Sequence, residues 1–227
     1  MKKRILAFGM VLSLALTLCA CGSGNGDSAE GGNKTVVVGV FEPLSGDNGA
    51  GGKQEVLGMQ YANSLYPTVE IGGETYDVKL VVSDNESSSD KAVSAANELI
   101  SAGASVVLGS YGSGVSIAAS DTFKEAGVPA IGVTCTNPQV TEGNSHYFRI
   151  AFLDPFQGTV LANFAHDQLG AETVYCLGQL GNDYDQGLIN YFKQAADSLG
   201  MKVITASFPE GNSDFNSYLT TAKTEGA

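Results

Sequence analysis

The chain has 227 residues, of which 43% are hydrophobic and 16% are charged, and its formal net charge is −12. This composition agrees with a soluble folded domain, and so acidic a surface disfavours nucleic acid and anionic lipid as partners. With two histidines and no CxxC spacing among the four cysteines, the sequence offers no metal-binding constellation.

The N-terminal segment predicts an exported protein with a lipid anchor. Three basic residues precede a mostly apolar stretch over 5–18, which is typical of a secretory signal and too short for a stable membrane span. Residues 18–21, "LCAC", resemble a bacterial lipobox, so we expect residues 1–20 to be a signal peptide and Cys21 to be lipidated. Residues 21–34 then form a polar, glycine-rich flexible linker. We expect an extracytoplasmic protein that is anchored to the cell membrane.

Loss of the signal makes the protein more acidic. Removal of residues 1–20 takes three of the 12 basic residues and leaves 9 against 24 acidic residues, a net charge of about −15.

From residue 35 onward, short β-branched runs alternate with helical patterns. Strands are predicted at 35–41, on both sides of a Gly-Gly turn within 69–84, at 105–110 and at 128–133. We expect the second strand of the Gly-Gly hairpin to be buried.

Helices are predicted between these strands, at 53–66, 87–103 and 114–127. The helix at 87–103 places Ala92, Ala96 and Leu99 on one face. Repeated strand and helix units of this length predict an α/β fold, with a doubly wound parallel sheet covered by helices on both faces.

After a strand-like segment at 146–152 the pattern begins again. Helices are predicted at 154–170, 184–200 and 214–227, and strands at 173–178 and 202–208. The first of these helices has Leu161, Phe164 and Leu169 at helical spacing, and the second has Leu188, Phe192, Ala195 and Leu199.

We therefore predict one α/β domain over 35–152 and the N-terminal part of a second over 153–227. Two units do not cover both faces of a sheet, so we expect either a fragment or a domain completed by another chain.

A glycine-rich loop within 109–120 lies between a predicted strand and a predicted helix. Its glycines follow the pattern G-x-x-G-x-G, which is not the dinucleotide fingerprint, and no lysine follows as in a phosphate-binding loop. Main-chain N–H groups at a helix N-terminus favour an anion, and a single carboxylate needs few donors. Ser113 supplies one hydroxyl, although simple helix capping also explains it.

The next connection, "TCTNPQ", offers hydroxyls at the neighbouring strand end. Thr134 and Thr136 flank Cys135 there, although loops of this composition often form ordinary turns. For Cys135 and Cys176 we expect free thiols, with a disulfide between them as the alternative.

Several motifs occur in a specific order and spacing. They are "FEPLSGDNGAGGKQEVLGMQYA", "LGSYGSGVSIAASDTFKEAGVPAIGVTCTNPQVT", "FRIAFLDPFQGTVLANF", "GNDYDQG" and "GNSDFNSYL". This ordered set resembles the type I periplasmic-binding-protein family, in the branch that includes the branched-chain amino-acid binding proteins of ABC transporters. The resemblance covers nearly everything after residue 35.

In that family two α/β domains, joined by a three-strand hinge, close on an amino acid. The resemblance implies that the hydroxyls of Ser113 and Thr136 hold the ligand carboxylate, aided by main-chain groups near Gly114, and that Thr134 contributes its main chain. Tyr184 matches the aromatic residue that covers the ligand, with packing on its own sheet as the alternative. A monomer without cofactor, working with an ABC permease and ATPase, is the implied assembly.

The sequence departs from the family in two places. Gly51 stands where some relatives have an aromatic residue, which leaves one wall of the pocket undefined. The acidic residue that pairs with the ligand ammonium in the family would lie beyond Ala227. For Asp154 and Gln157, just after the first crossover, we expect hinge packing rather than ligand contact.

Two other functions compete with this interpretation. An enzyme would need Ser113 with His146 or His166, but there is no G-x-S-x-G elbow, and His166 is expected on a solvated helix surface, so we expect no catalysis. The acidic residues Asp84, Glu86 and Asp90 are expected to form a loop and helix-cap cluster. A ligand-sensing receptor domain would share the fold and the pocket, but it usually precedes a membrane span and a signalling module.

Overall fold

A computed structural model of the protein describes residues 34–227, which contain eight strands and six α-helices. The predicted signal peptide, the predicted lipidation site Cys21 and all of the predicted linker except Lys34 lie outside the described residues. The strands are β1 (Lys34–Glu42), β2 (Thr68–Ile71), β3 (Glu74–Asp84), β4 (Ala104–Leu108), β5 (Ala130–Gly132), β6 (Tyr147–Arg149), β7 (Thr173–Gln179) and β8 (Lys202–Phe208). The helices are α1 (Gly49–Leu65), α2 (Ser89–Ser101), α3 (Ser113–Ala126), α4 (Asp154–Asn163), α5 (Asp183–Ser198) and α6 (Asn216–Thr224).

The first six strands form one sheet in the order β2-β3-β1-β4-β5-β6. All neighbouring strands are parallel except β2 and β3, which form an antiparallel hairpin. Its turn residues Gly72 and Gly73 have φ values of 61° and 84°, a left-handed conformation that glycine adopts without steric cost. The predicted α/β class and the predicted hairpin are therefore confirmed. We call residues 34–149, which contain this sheet, lobe one.

The core of lobe one lies between the sheet and helices α2 and α3. The predicted apolar face of α2 is buried, including Ala92, Ala96 and Leu99. Phe123 of α3 packs edge-to-face on Phe41 of β1, with ring centroids 5.5 Å apart. Such aromatic pairs contribute beyond the apolar area they bury, so they stabilise the contact between α3 and the sheet.

The prediction that the second strand of the hairpin is buried was wrong. In β3 only Ser83 is buried, and the other residues are half-buried or exposed. The reason is tertiary: α1 buries only Gly49, Gly52 and Val56, so it covers little of the neighbouring surface. An apolar run predicts a strand, but it does not tell which elements pack over it.

Residues 154–227 contain β7 and β8, a parallel pair in register from Thr173 opposite Lys202 to Gln179 opposite Phe208. We call this region lobe two. Its core is small and consists of Ala162, Phe192, Ala196 and Met201, with half-buried neighbours.

The predicted helix at 154–170 differs from the structure in two ways. Helix α4 ends at Asn163 and continues as a π-helical turn over Phe164–Gln168, and the aligned residues Leu161, Phe164 and Leu169 are exposed. The buried face instead carries Gly158 and Ala162. A Cβ atom on Gly158 would lie 2.6 Å from the backbone nitrogen of Phe192, so α4 and α5 approach too closely for larger side chains.

None of the helices within residues 34–227 is long and apolar enough to cross a membrane.

Candidate ligand-binding cleft

A cavity of about 770 Å³ lies between residues of lobe one and lobe two. Its walls come from loops that follow the carboxyl ends of parallel strands, where open α/β sheets bind ligands. All five sequence-predicted ligand residues line it: Ser113, Gly114, Thr134, Thr136 and Tyr184.

Ser113 begins α3 and is only 3% exposed. The N-cap of α3 is Gly112, so Ser113 is not the capping residue that the alternative interpretation required. Its Oγ instead accepts a hydrogen bond from the backbone N–H of Asn137 at 3.3 Å, which joins the two strand-end loops. The hydroxyl proton is left to donate, and the first N–H groups of α3 have no acceptor within the helix. This end of α3 therefore has the properties of an anion site.

Thr136 lies on the neighbouring loop and is 6% exposed. Its Oγ1 has no hydrogen-bond partner among the described residues. A buried hydroxyl without a partner costs free energy, and a ligand oxygen or nitrogen would remove that cost. Thr134 differs, because its hydroxyl donates to the Glu55 carboxylate at 2.5 Å. The side chain of Thr134 is therefore engaged within lobe one.

Arg149, at the end of β6, holds the loop that carries Thr136. Its Nη1 donates to the carbonyl oxygens of Cys135 and Asn137, and its Nη2 donates to the carbonyl of Pro138 and to a threonine hydroxyl. Hydrogen bonds from a guanidinium are charge-assisted and geometrically specific. The role of Arg149 was not predictable from the sequence, because nothing local distinguishes it from a surface arginine at a strand end.

Tyr184 lies in the first turn of α5 and lines the cavity. Its phenol oxygen accepts a hydrogen bond from Nε2 of Gln157 at 2.8 Å. Gln157 also lines the cavity, whereas its place just after the crossover predicted hinge packing. The start of α5 is capped by Asn182, whose Oδ1 accepts from the backbone N–H groups of Tyr184 and Asp185. Together these contacts fix the aromatic side chain at the cavity wall.

Asp154 is fully buried at the crossover between the lobes and does not line the cavity. Neither of its carboxylate oxygens has a hydrogen-bond partner within residues 34–227. Burial raises the pKa of this carboxyl, while the nearby Thr136 and Arg149 lower it by less. Its backbone N–H donates to the carbonyl of Thr136 at 3.1 Å, so the crossover is tied directly to the cavity loop.

The wall beside Gly51, which the sequence left undefined, is provided by Tyr111. A Cβ atom on Gly51 would lie 2.5 Å from Cε2 of Tyr111, so the tyrosine ring occupies the space next to this glycine. Tyr111 lines the cavity, and its backbone N–H donates to the Glu42 carboxyl at 2.8 Å. The aromatic side chain at this wall comes from the loop after β4 rather than from the first turn of α1, where Gly51 lies.

Glu42 lies beneath this wall and is fully buried. Burial, followed by the neighbouring Glu55 carboxyl, raises the pKa of Glu42 to about 10. A proton on Glu42 allows a hydrogen bond with the Glu55 carboxyl, which contributes to the raised pKa. Glu42 is therefore protonated and uncharged at neutral pH.

The lobes meet at one side of the cavity through Asn137. Its Nδ2 donates to the main-chain oxygen of Asp183 at 3.0 Å. A Cβ atom on Gly187 would lie 2.8 Å from the same Nδ2, so the first turns of α5 press closely on the loop of lobe one. Asn137 thus contacts Ser113 with its backbone and lobe two with its side chain.

The histidines lie away from this cavity. His166 pairs with Asp167 at 2.7 Å on the exposed π-helical turn, and the His146 ring contacts Ser145. Neither histidine lines the cavity beside Ser113, so the geometry of a catalytic triad is not formed.

Asp84 acts as an anchor for the first loop. Its carboxylate accepts hydrogen bonds from the backbone N–H groups of Leu44 and Glu86 and from the Ser45 hydroxyl. Burial acts to raise the pKa of Asp84, but these hydrogen bonds outweigh it and lower the pKa.

Cys135 and Cys176 are both free, so no disulfide joins them. Among residues 34–227, no group of three or more histidine, cysteine or acidic side chains could hold a metal ion.

The sequence matches the family described as periplasmic binding protein over residues 35–227. An amino acid binding protein from Pseudomonas aeruginosa is 35% identical over 196 residues, which are 85% of this chain and 52% of the relative. A leucine binding protein from Thermotoga maritima is 34% identical with a TM-score of 0.79, covering 84% of this chain and 53% of that protein.

Ligands are present in other similar structures. A branched-chain amino acid transporter substrate binding protein from Streptococcus pneumoniae, in complex with isoleucine, is 29% identical with a TM-score of 0.75, covering 86% of this chain and 55% of that protein. A solute binding protein from Rhodopseudomonas palustris, in complex with 4-hydroxybenzoate, is 25% identical with a TM-score of 0.73, covering 86% of this chain and 52% of that protein. The chain spans about half the length of the curated relatives it matches.

Proposed function

This chain belongs to the periplasmic binding protein family, and on that premise we propose that it captures an amino acid, branched-chain or related, for an ABC importer. The amino acid binds in the cleft between the lobes, and the closed protein delivers it to a membrane permease that is powered by an ATPase subunit. The protein works as a monomer outside the cytoplasm, anchored through Cys21.

The observation that supports this proposal best is the pair of buried hydroxyls at the cavity. Ser113 and Thr136 are both nearly inaccessible, and the Thr136 hydroxyl has no partner among the described residues. A carboxylate has two oxygens, which can accept from two hydroxyls, and its negative charge suits the free N–H groups of a helix N-terminus. Gly114, next to Ser113, allows a ligand oxygen to approach the main chain closely. No basic side chain lines the cavity, so the site suits a carboxylate rather than a polyphosphate.

The mechanism is closure of the lobes over the ligand. The carboxylate docks first on lobe one, where Arg149 and the Asn137 backbone hold the hydroxyl-bearing loops in place. Lobe two then covers the ligand with Tyr184, which Gln157 orients. Closure transfers the ligand from water to a cavity of fixed dipoles, and it creates a new surface that a permease recognises.

The similar structures hold amino acids or aromatic carboxylic acids. Both kinds of ligand carry a carboxylate, but only the amino acids carry an ammonium group. A thermal-shift screen of the chain from Cys21 to Ala227 should include both classes, because a ligand that binds the folded state raises the melting temperature. We expect stabilisation by one group of L-amino acids. Stabilisation by 4-hydroxybenzoate or by a nucleotide, without any amino acid, would contradict the proposal.

The site itself is tested by the double variant Ser113→Ala with Thr136→Ala. Each hydrogen bond to a charged group contributes about 1.5–3 kcal/mol, so we expect amino-acid affinity to fall at least a hundredfold. The matched control is Ser198→Ala with Thr221→Ala, two exposed hydroxyls of lobe two that bond only to their own helices. The control should bind as the wild type does. Unchanged affinity in the first double variant would remove the site assignment.

A further inference from the structure

Two carboxyl groups of lobe one lie behind the cavity wall, and neither of them lines the cavity. Glu42, at the end of β1, is fully buried, and Glu55, in α1, is half-buried. A buried carboxylate costs free energy unless a counterion or hydrogen-bond donors compensate for the water that it loses. Two acids placed next to each other therefore need a reason within the fold.

Each of these carboxyls binds one of the two loops that carry the proposed carboxylate subsite. Oε2 of Glu42 accepts a hydrogen bond from the backbone N–H of Tyr111 at 2.8 Å, in the loop after β4. Oε1 of Glu55 accepts a hydrogen bond from the Thr134 hydroxyl at 2.5 Å, in the loop after β5. Tyr111 and Thr134 both line the cavity. The two acids are thus one residue away from the ligand site on each loop.

One oxygen of each carboxyl is left to the other acid. Neither Oε1 of Glu42 nor Oε2 of Glu55 accepts a hydrogen bond from any other group within residues 34–227. A Cβ atom on Gly109 would lie 2.7 Å from Oε1 of Glu42, so the backbone of the loop after β4 lies against this oxygen. A single proton between the two carboxyls satisfies both oxygens, whereas two carboxylates would repel each other. The pair therefore carries one proton and one negative charge.

The surroundings of Glu42 favour this proton. Asp84 lies opposite Glu42 in the register of β1 and β3, but its carboxylate is engaged by the loop after β1. The Cys135 thiol and the Tyr147 phenol also lie within electrostatic reach of Glu42, and burial raises the pKa of both groups. No basic side chain within residues 34–227 acts on the pKa of Glu42. A second negative charge on the pair would have no counterion.

Loss of the shared proton would act on the cavity through the same contacts. Two like charges at hydrogen-bonding distance repel, and Glu55 has the more room to move because it is only half-buried. Movement of Glu55 breaks its hydrogen bond with the Thr134 hydroxyl. The link that remains between the loops is the 3.4 Å contact of that hydroxyl with the carbonyl oxygen of Tyr111, which is long for an O–H···O hydrogen bond.

We propose, on the premise of the function given above, that Glu42 and Glu55 are positioning residues that share one proton and thereby hold the two loops of the carboxylate subsite in their binding arrangement. They act on the ligand through Tyr111 and Thr134 and not by contact. The shared proton is required for tight binding, so ligand affinity follows the protonation of this pair.

Two substitutions separate the proton from the side chain. Glu42→Gln keeps an acceptor for the Tyr111 N–H and gives Glu55 an amide donor, so it imitates the protonated acid at every pH. We expect its affinity at pH 7 to stay within about twofold of the wild type. Glu42→Ala leaves the Tyr111 N–H and Glu55 without this partner, so we expect affinity to fall at least about tenfold. Calorimetric titration of the chain from Cys21 to Ala227 measures both, and the probe is the L-amino acid that stabilises the wild-type chain most in the thermal screen.

The pH dependence of binding is a readout that a merely structural role would not change. The amino acid's own ammonium titrates equally for wild type and Glu42→Gln, so the ratio of their affinities isolates the pair. Burial raises the pKa of Glu42 to about 10, so the ratio should stay constant from about pH 6 to 9 and fall about fourfold by pH 10.5. Circular dichroism at each pH shows that the protein is folded. This ratio does not depend on whether Glu42→Ala folds.

The control variant is Glu125→Gln, which makes the same chemical change on the exposed surface of α3, outside the cavity. Its affinity and its pH dependence should match those of the wild type.

Three outcomes would overturn the inference and leave the proposed function intact. They are a ratio that does not change up to pH 10.5, wild-type affinity in Glu42→Ala, and a Glu42→Gln variant that binds as weakly as Glu42→Ala. If the wild-type chain binds 4-hydroxybenzoate and no amino acid, the proposed function fails, while the same ratio measured with that acid still tests the pair. If the wild-type chain binds neither class of probe, both fail.

Discussion

Lobe one and lobe two present different interiors to the cavity that lies between them. Lobe one packs two helices and three clustered aromatic rings, those of Phe41, Phe123 and Tyr147, against a six-stranded sheet. Lobe two has two strands. Among its described residues, Phe192 is the only buried aromatic side chain. The hydroxyls that we assign to the carboxylate belong to the better packed lobe. Within residues 34–227, the proposed carboxylate subsite therefore stands on the lobe with the larger core.

The largest effect is expected from removing the aromatic centre of each core. Phe123→Ala leaves a cavity in lobe one that its close-packed neighbours cannot fill, and it should cost about 3–5 kcal/mol of unfolding free energy. Phe192→Ala should cost less than half of that, because its half-buried neighbours relax into the space. Urea unfolding of both variants measures the difference. Equal costs would show that the two cores are equally rigid.

The second prediction concerns pH and is specific to lobe one. The folded-state pKa of Glu42 is about 10, well above its unfolded value of 4.5, so its neutral form stabilises the fold. This stability is fully present below pH 4.5 and is lost as pH rises towards 10. Glu42→Gln, which keeps a neutral acceptor for the Tyr111 N–H, should remove this dependence. We expect the wild type to lose at least about 1.4 kcal/mol more than the variant between pH 5 and 9.

Lobe two offers the matching control for this pH measurement. Its carboxylates at Asp197 and Glu225 pair with lysines on the exposed surface. Neutralising Asp197 by Asp197→Asn should leave the slope of stability against pH unchanged, since exposed pairs contribute little. If Asp197→Asn removed the dependence of stability on pH and Glu42→Gln did not, the assignment of this dependence to Glu42 would be contradicted.

The smallest effect is expected from two helical glycines. Gly58, inside α1 of lobe one, has no atom within 4 Å of the position of an added Cβ, so Gly58→Ala should stabilise the protein by about 0.5–1 kcal/mol. Gly187→Ala in α5 makes the same helix-favouring change but places its Cβ against Asn137, so we expect no gain in stability and a weaker ligand affinity. Thermal unfolding and calorimetry distinguish the two variants, and an equal gain would show that α5 does not press on lobe one.

Much of the fold was predictable because strand and helix periods are local properties of the sequence. The apolar spacing of α2 predicted its buried face correctly, and the Gly72-Gly73 turn predicted a hairpin. Helix α1 begins four residues earlier than predicted, at Gly49, because glycines weigh against a helix in any local count. The exposure of β3 and of the aligned residues of α4 depends on which elements pack over them, and periodicity does not contain that information.

The candidate site was also only partly predictable from the sequence. Ser113, Thr136 and Tyr184 were accessible to sequence reasoning because they follow strand ends in recognisable motifs, and the structure places them around one cavity; their ligand role stays a prediction. Arg149 was not predicted as a site residue, because its role depends on hydrogen bonds to carbonyl groups of another loop.

The contact between Tyr111 and Gly51 has a consequence for how new cargo preferences arise in this fold. One aromatic ring fills the space between the first turn of α1 and the loop after β4, and either segment has room to carry it only if the other has a small residue. Exchange of the two positions, by Gly51→Tyr with Tyr111→Gly, would move the ring from the loop to the helix. If the cavity binds a ligand as proposed, such a swap would change the angle at which the ring meets it, so paired substitutions at these two positions offer a route to altered selectivity.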